Sequence, residues 1–238
     1  MKKLLITTLF LILCAVLSAT TIFTEEKTCA VCGAKNSYNV IGSTNSMGSS
    51  DLDLRPPEMM RSTIGFWVEK CPACGYCASD VSQLLKNAKE TVTDPAYMVQ
   101  LVNPDFPELA NKFLSRMMIE DKAGERRAAV YSAICAGWAS DDAKALSAAI
   151  AARKLGIQRI LEMNATNEQY AQQNGGDELL IVDMYRRNEE FAQAEQFIKK
   201  GLKLETEDII KTILNFQRGL IEKKDTSVYT ISEAVNTE

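Results

Sequence analysis

Cys29-Ala30-Val31-Cys32-Gly33 and Cys71-Pro72-Ala73-Cys74-Gly75 decide how this chain is read. A C-x-x-C pair puts two sulfurs on one tight turn, close enough to share a tetrahedral ion, and two such turns supply four thiolates. The glycine after each pair fits that geometry. Just past the second thiolate the backbone turns back toward the metal with positive φ, which glycine adopts without a Cβ penalty. Pro72 pre-sets φ at the start of the second turn. The spacing predicts a closed site on Cys29, Cys32, Cys71 and Cys74, with zinc as the expected ion. Such sites leave no open position for a substrate, so the role read here is to staple a small fold.

Other readings of the same cysteines stay open. Thiolate sites also hold iron, the less favoured ion here, and Cys71-Pro72-Ala73-Cys74-Gly75-Tyr76 resembles a rubredoxin knuckle. The pairs can also close as disulfides. Neither pair opens a helix inside a βαβ pattern, where a redox C-x-x-C acquires its low thiol pKa. Cys77 is an additional thiol, read either as a ligand in an alternative register with Cys74 or as a small buried side chain. Cys135 lies in an apolar helical stretch and reads as core.

Met1-Lys2-Lys3 precedes an apolar run from Leu4 to Ala19. A short basic head, an apolar segment and small residues at Ser18 to Thr20 read as a signal peptide over 1–20. The run is short for a membrane span, which needs about 20 apolar residues, so an uncleaved anchor is the alternative. Cys14 as a lipid acceptor lacks a small residue before it, since Leu11-Ile12-Leu13 precede. The expected location is therefore periplasmic or extracellular, with the membrane reached only through an uncleaved amino end. Export brings an oxidising compartment, where paired cysteines often become disulfides.

Composition narrows the function classes. At 46% hydrophobic and 24% charged, the chain has material for one core plus a small module. Net charge is −4, and loss of Lys2 and Lys3 makes it more negative still. An acidic chain is a poor phosphate-backbone binder, so no nucleic-acid partner is expected. There is no histidine. That removes Ser-His-Asp and Cys-His catalytic pairs and any histidine ligand.

A ribbon module is expected over 27–79, with strands at Ser37–Ile41 and Ile64–Val68. The long loop from Gly42 to Glu58 carries Asp51, Asp53, Arg55 and Glu58, interleaved with Leu52 and Leu54. It reads either as a ligand or partner loop, or as an ordered loop held by Asp–Arg pairs. Acid–base chemistry on Asp51, Asp53 and Glu58 is a third, weaker reading. A helical domain follows over 80–224. Asp80 is expected to cap Val81–Lys89, and a short helix covers Ala96–Val102. Longer helices are expected at Phe106–Ile119 and Arg126–Ala139, then at Ala143–Met163 capped by Asp141-Asp142. Asn174-Gly175-Gly176 breaks the chain before Glu178–Arg187, Glu190–Leu204 and Glu207–Lys223. The tail, 225–238, reads as an extension or strand that frays. The fold class is α+β, mostly α: a small zinc-ribbon-like β module followed by antiparallel helical hairpins.

The hairpin around Tyr185 resembles one tetratricopeptide repeat. Tyr185, Phe191, Ala194, Ile198, Gly201, Leu202 and Leu204 match its large and small packing positions. Val182 and Glu189 stand where the repeat usually carries glycine, and no second copy appears at a fixed period. The two knuckles, the stretch from Ser43-Thr44-Asn45-Ser46-Met47-Gly48 to Asp51-Leu52-Asp53, and the Tyr185-Arg186-Arg187 hairpin together look like an uncharacterised bacterial family, domain-of-unknown-function family 2225. The resemblance spans about Cys29 to Glu222. It implies a bacterial source and a zinc-ribbon-like part joined to a tetratricopeptide-like part, and it carries no activity. The expected function is an exported zinc-binding protein that is not an enzyme and binds a protein partner through its helical hairpins. The alternative is thiol redox or metal handling by the same cysteines.

Overall fold

The computed structural model describes residues 20–236, so Cys14 and the expected signal segment up to residue 19 lie outside the described residues. The described chain opens with a hairpin, β1 (Thr21–Thr28) against β2 (Lys35–Ser43), antiparallel with Thr28 opposite Lys35. The expected strand Ser37–Ile41 lies inside β2, and β1 carries the ribbon back to Thr21. The second expected strand does not form. Ile64–Phe66 is a 3-10 turn. Ile64 and Val68 are both buried, and Trp67 Nε1 donates to Thr63 Oγ1 at 2.9 Å. Thr63, Ile64 and Val68 are buried while Phe66 is not, which breaks the alternation of a strand and suits a helical turn, here overriding β-branched and aromatic propensity. Strand pairing moves on to β3 (Glu69–Lys70) against β4 (Cys77–Ala78).

Between β2 and β3 lies a one-turn helix, α1 (Glu58–Arg61). The region expected as helix Val81–Lys89 is mostly turn, with only α2 (Ala88–Thr91) helical. Asp80 does not cap a helix. Its Oδ1 accepts from the backbone N and Oγ of Ser82, and Lys27 pairs with it at 3.3 Å. The side chain thereby closes a local turn instead of starting a helix.

The remaining helices follow the expected periodicity. They are α3 (Pro95–Leu101), α4 (Glu108–Ala123), α5 (Arg126–Asp142), α6 (Leu146–Asn164), α7 (Gly176–Arg187), α8 (Phe191–Gly201) and α9 (Asp208–Glu222). Helices α4, α5 and α6 pack in sequence, α7 packs on α6 and α8, and α9 covers both α8 and α7. The fold is α+β and mostly α. Phe113, Leu114, Ile134, Cys135, Trp138, Ile160 and Ile181 form the centre of the main core. Gly201 lets α8 approach α9, since a Cβ there would stand 2.8 Å from Leu214 Cδ1. Glu189, in the turn between α7 and α8, holds φ at +61°, a left-handed value that costs a non-glycine residue about 1 kcal/mol.

Two further expectations are corrected. Asp141-Asp142 end α5 rather than cap α6, which starts at Leu146. Carboxylates at a helix carboxyl end oppose the dipole, and here arginines offset that cost. Asp141 pairs with Arg153 at 2.5 Å and Arg187 at 2.6 Å, and Asp142 pairs with Arg55 at 2.6 Å. The tail forms a docked helix, α10 (Ile231–Val235), with a capping box on Thr230 and Glu233. Arg186, fully buried, donates to the carbonyls of Asp225 and Ser227 at 2.7 and 2.9 Å and pairs with Asp183 at 2.6 Å. Leu52 N–H donates to Tyr229 O, and Ile231 N–H to Ser50 O, so the tail lies across the long loop.

The loop is anchored by charge. Asp53 is buried and accepts from Arg187 Nη1 at 2.6 Å and Trp138 Nε1 at 2.8 Å. Asp51 pairs with Arg61 at 2.8 Å. Removing one partner of a buried pair strands the other charge, a cost of about 3–5 kcal/mol. Arg187→Ala is therefore expected to lower unfolding free energy by roughly that amount in urea titrations. Adding Asp53→Asn removes the stranded charge and keeps an acceptor for Trp138, so part of the loss returns. No recovery would place the cost in packing rather than charge.

Candidate metal centre

Each knuckle is the turn of a hairpin, and the two turns are built alike. In the first, Gly33 N–H donates to Cys29 O at 2.8 Å and Cys29 N–H to Ala34 O at 2.9 Å. In the second, Gly75 N–H donates to Cys71 O and Cys71 N–H to Tyr76 O, both at 2.9 Å. Gly33 and Gly75 share φ of +77°. That is the left-handed bend the C-x-x-C-G pattern predicts, and only glycine adopts it without strain. A Cβ on Gly75 would also meet Leu101 Cδ2 at 2.7 Å.

The two turns face each other. Cys29 Sγ lies 3.7 Å from Cys74 Sγ, and Cys32 Sγ lies 3.7 Å from Cys71 Sγ. All four sulfurs fall within 4.8 Å of one another. A tetrahedron with metal–sulfur bonds of about 2.3 Å has an edge of about 3.8 Å. A disulfide would need about 2.05 Å. The four cysteines are free thiols and are positioned to bind a metal ion.

Burial splits the quartet. Cys29 and Cys71 are buried, Cys74 is half-buried, and Cys32 is exposed. Burial pushes the Cys29 and Cys74 thiols up, while the backbone around Ala34 draws Cys32 down. Tyr38 stands nearby. Burial pushes its phenol up to about 12, with the Cys71 and Cys29 charges adding to the shift. Its Oη is buried without a hydrogen-bond partner among the described residues. An orphaned O–H donor beside four thiolates fits a sulfur-ligated ion, whose charge-rich sulfurs accept such bonds.

Supports that sequence reasoning missed join the knuckles to each other and to the helices. Lys27 bridges Glu69 at 2.7 Å and Asp80 at 3.3 Å, and Glu69 Oε2 accepts from Val81 N–H at 2.9 Å. Ala30 N–H donates to Val81 O. Tyr97 from α3 donates to Gly75 O at 2.8 Å and accepts from Cys77 N–H at 3.1 Å. Arg116 from α4 donates to Trp67 O at 3.0 Å and pairs with Glu120 at 2.7 Å. Lys27, Glu69 and Tyr76 each lie within two residues of a knuckle, the one signal the sequence offered, while Tyr97 and Arg116 are remote from it; Tyr76 Oη donates to Gln83 O at 2.7 Å.

The other singled-out residues lie elsewhere. Cys77 stands outside the quartet, fully buried, with its thiol against Gly75 O at 3.4 Å. Asp51, Asp53 and Arg55 are engaged in the ion pairs described above, and Glu58 starts α1 at an exposed position. Among the described residues no helix is long and apolar enough to cross a membrane. Compared with known proteins, the chain matches no family model, no curated protein and no solved structure.

Burial pushes the Cys77 thiol up to about 11 and the Cys135 thiol up to about 12. Reactivity needs the thiolate, so both are expected to resist iodoacetamide at pH 8 in the folded protein. Labelling should rise only as pH approaches those values or as the protein unfolds. Mass spectrometry of the alkylated peptides checks this. Rapid native labelling of Cys77 at pH 8 would contradict it.

Proposed function

We propose that the protein is an exported zinc-binding scaffold, not an enzyme, whose ribbon is a structural staple and whose helical hairpins hold a protein partner. The observation that carries the reading is the closed quartet: four thiolates satisfy a tetrahedral ion and leave no position for a substrate. Zinc is the ion best suited to such a site, with iron second. The basic head and apolar run at 1–20 support export. Membership in the bacterial family that the knuckles and the Tyr185 hairpin resemble is part of the same proposal.

The partner surface is proposed on the open face between α6 and the α7–α8 turn. There Ile157, Leu161 and Tyr185 line a concavity of about 470 Å³ rimmed by Lys154 and Glu190. Stacked helical pairs commonly bind along such faces. A photo-crosslinker at Gln158, in the full chain within its native cell envelope, is expected to give one discrete protein adduct. A crosslinker at Lys86, in the turn before α2, should not give it. No adduct from Gln158, or the same adduct from both, would contradict the reading.

One observation favours the second reading, thiol redox or metal handling. Cys32 is exposed and its pKa is drawn down, which makes it the most accessible sulfur of the quartet. Under that reading an external peroxide-type oxidant takes two electrons from the Cys32 thiolate, leaving a sulfenate and water, and the ion loses that ligand.

A further inference from the structure

A second cavity lies beside the loop, and none of its lining residues belongs to the metal centre. It is a half-open cleft of about 530 Å³, within the range of small-molecule sites. Its walls are mainly aliphatic, with Leu52 and Leu54 from the loop, Leu179 from α7, Ile209 and Ile213 from α9 and Ile231 from α10, while Tyr170, Gln172 and Gln173 line one side near Arg127. The loop, α5, the 170–173 stretch, α7, α9 and α10 all converge on it.

Two features set it apart from a packing gap. Leu54 sits at the rim, 46% exposed, with φ at +66°. A bulky side chain is seldom held in the left-handed region, and such strain persists only where the surroundings over-determine it. Here they do. Leu54 N–H donates to Asp51 O and Asp51 N–H to Arg55 O, both at 2.9 Å, while Arg61, Arg187 and Asp142 each clamp one charged residue of the loop. The ion pairs thus hold a leucine out at the mouth of an aliphatic cavity instead of letting it fold inward. The second feature is the charge beside that mouth. Arg127 lines the rim and spends one Nη on Tyr170 O at 2.6 Å and the other on Gln169 O at 2.7 Å. Among the described residues no carboxylate lies within 4 Å of its guanidinium. Ile209 leaves 43% of its surface exposed on the same rim.

We infer that this cavity binds a linear aliphatic carboxylate of fatty-acid type, with its chain between the loop and α9 and its head group at Arg127. The leucines and isoleucines offer dispersion and apolar burial along one wall, and the polar lining, Tyr170, Gln172 and Gln173, gathers on the side of Arg127. Arg127 offers a positive charge with N–H donors still free, the complement of a carboxylate. The aspartate-rich loop that stands out in the sequence would then act through Leu52 and Leu54, its charges serving to fix their positions. The site is independent of the metal centre and of the partner face on α6.

Isothermal titration of the full chain with dodecanoate, decanoate and dodecylamine, all below micelle formation, tests this. Dodecanoate is expected to bind one per chain. Decanoate, two methylenes shorter, should bind about 15-fold more weakly. Dodecylamine, with the same chain and opposite charge, should bind at least about tenfold more weakly, since the head-group charge pair is lost. Arg127→Gln should abolish the difference between acid and amine. Ile209→Glu, at an exposed first-turn position that tolerates an acid, should lower dodecanoate affinity by about tenfold or more with helicity unchanged. No binding of dodecanoate, or equal binding of acid and amine, would overturn the inference. So would an Ile209→Glu variant that binds as before, or one that turns a dimer into a monomer in sedimentation, which would make a second copy the occupant.

Discussion

Four sulfurs within 4.8 Å of one another are a demanding arrangement, and the amino-terminal third of the molecule depends on what holds them there. Two hairpins meet at the site. One is a two-stranded ribbon exposed along most of β1, and the other pairs only two residues a side. Two-stranded hairpins of this kind are marginal in water by themselves. Thiolates gathered so closely repel one another unless a cation lies between them. An ion there converts repulsion into binding energy that is also folding energy. The matched φ values of Gly33 and Gly75, the shared bond pattern of the two turns and the Lys27–Glu69 bridge all serve that convergence.

The helical body is held differently. Its core is ordinary aliphatic and aromatic packing, but its connections are fixed by arginines. Arg187 ties the loop at Asp53 to the end of α5 at Asp141, and Arg153 joins Asp141 to Asn188 at the α7 turn. Arg186, its neighbour, fastens the carboxyl-terminal tail. Two adjacent residues on one helix therefore anchor the two segments that lack regular partners. Tyr97 and Arg116 carry the same logic to the ribbon, seating the second knuckle on α3 and α4.

Local chemistry was legible in the sequence and distant chemistry was not. The ligand quartet could be read because C-x-x-C-G states its own turn. The helices from α4 to α9 could be read because their apolar spacing repeats. The Asp53–Arg187 pair could not, since 134 residues separate its members. Asp141-Asp142 looked like a cap because a cap needs only neighbours, whereas their arginines come from the loop, α6 and α7. Ile64–Val68 looked like a strand by residue type, yet Thr63, Ile64 and Val68 are buried without Phe66, a pattern a helical turn meets and a strand does not. The tail looked free because Arg186 lies far upstream of the carbonyls it binds. The Tyr185-Arg186-Arg187 run stood out by resemblance alone, and the two arginines prove to be the residues that join the loop and tail to the helices.

Metal content together with a free-thiol count, on protein purified from its own compartment, tests the central claim most directly. The account predicts about one zinc per chain, with Cys29, Cys32, Cys71 and Cys74 masked until the protein is denatured in chelator. No metal, with the knuckle cysteines recovered as disulfides, would contradict it and remove the staple on which the ribbon depends.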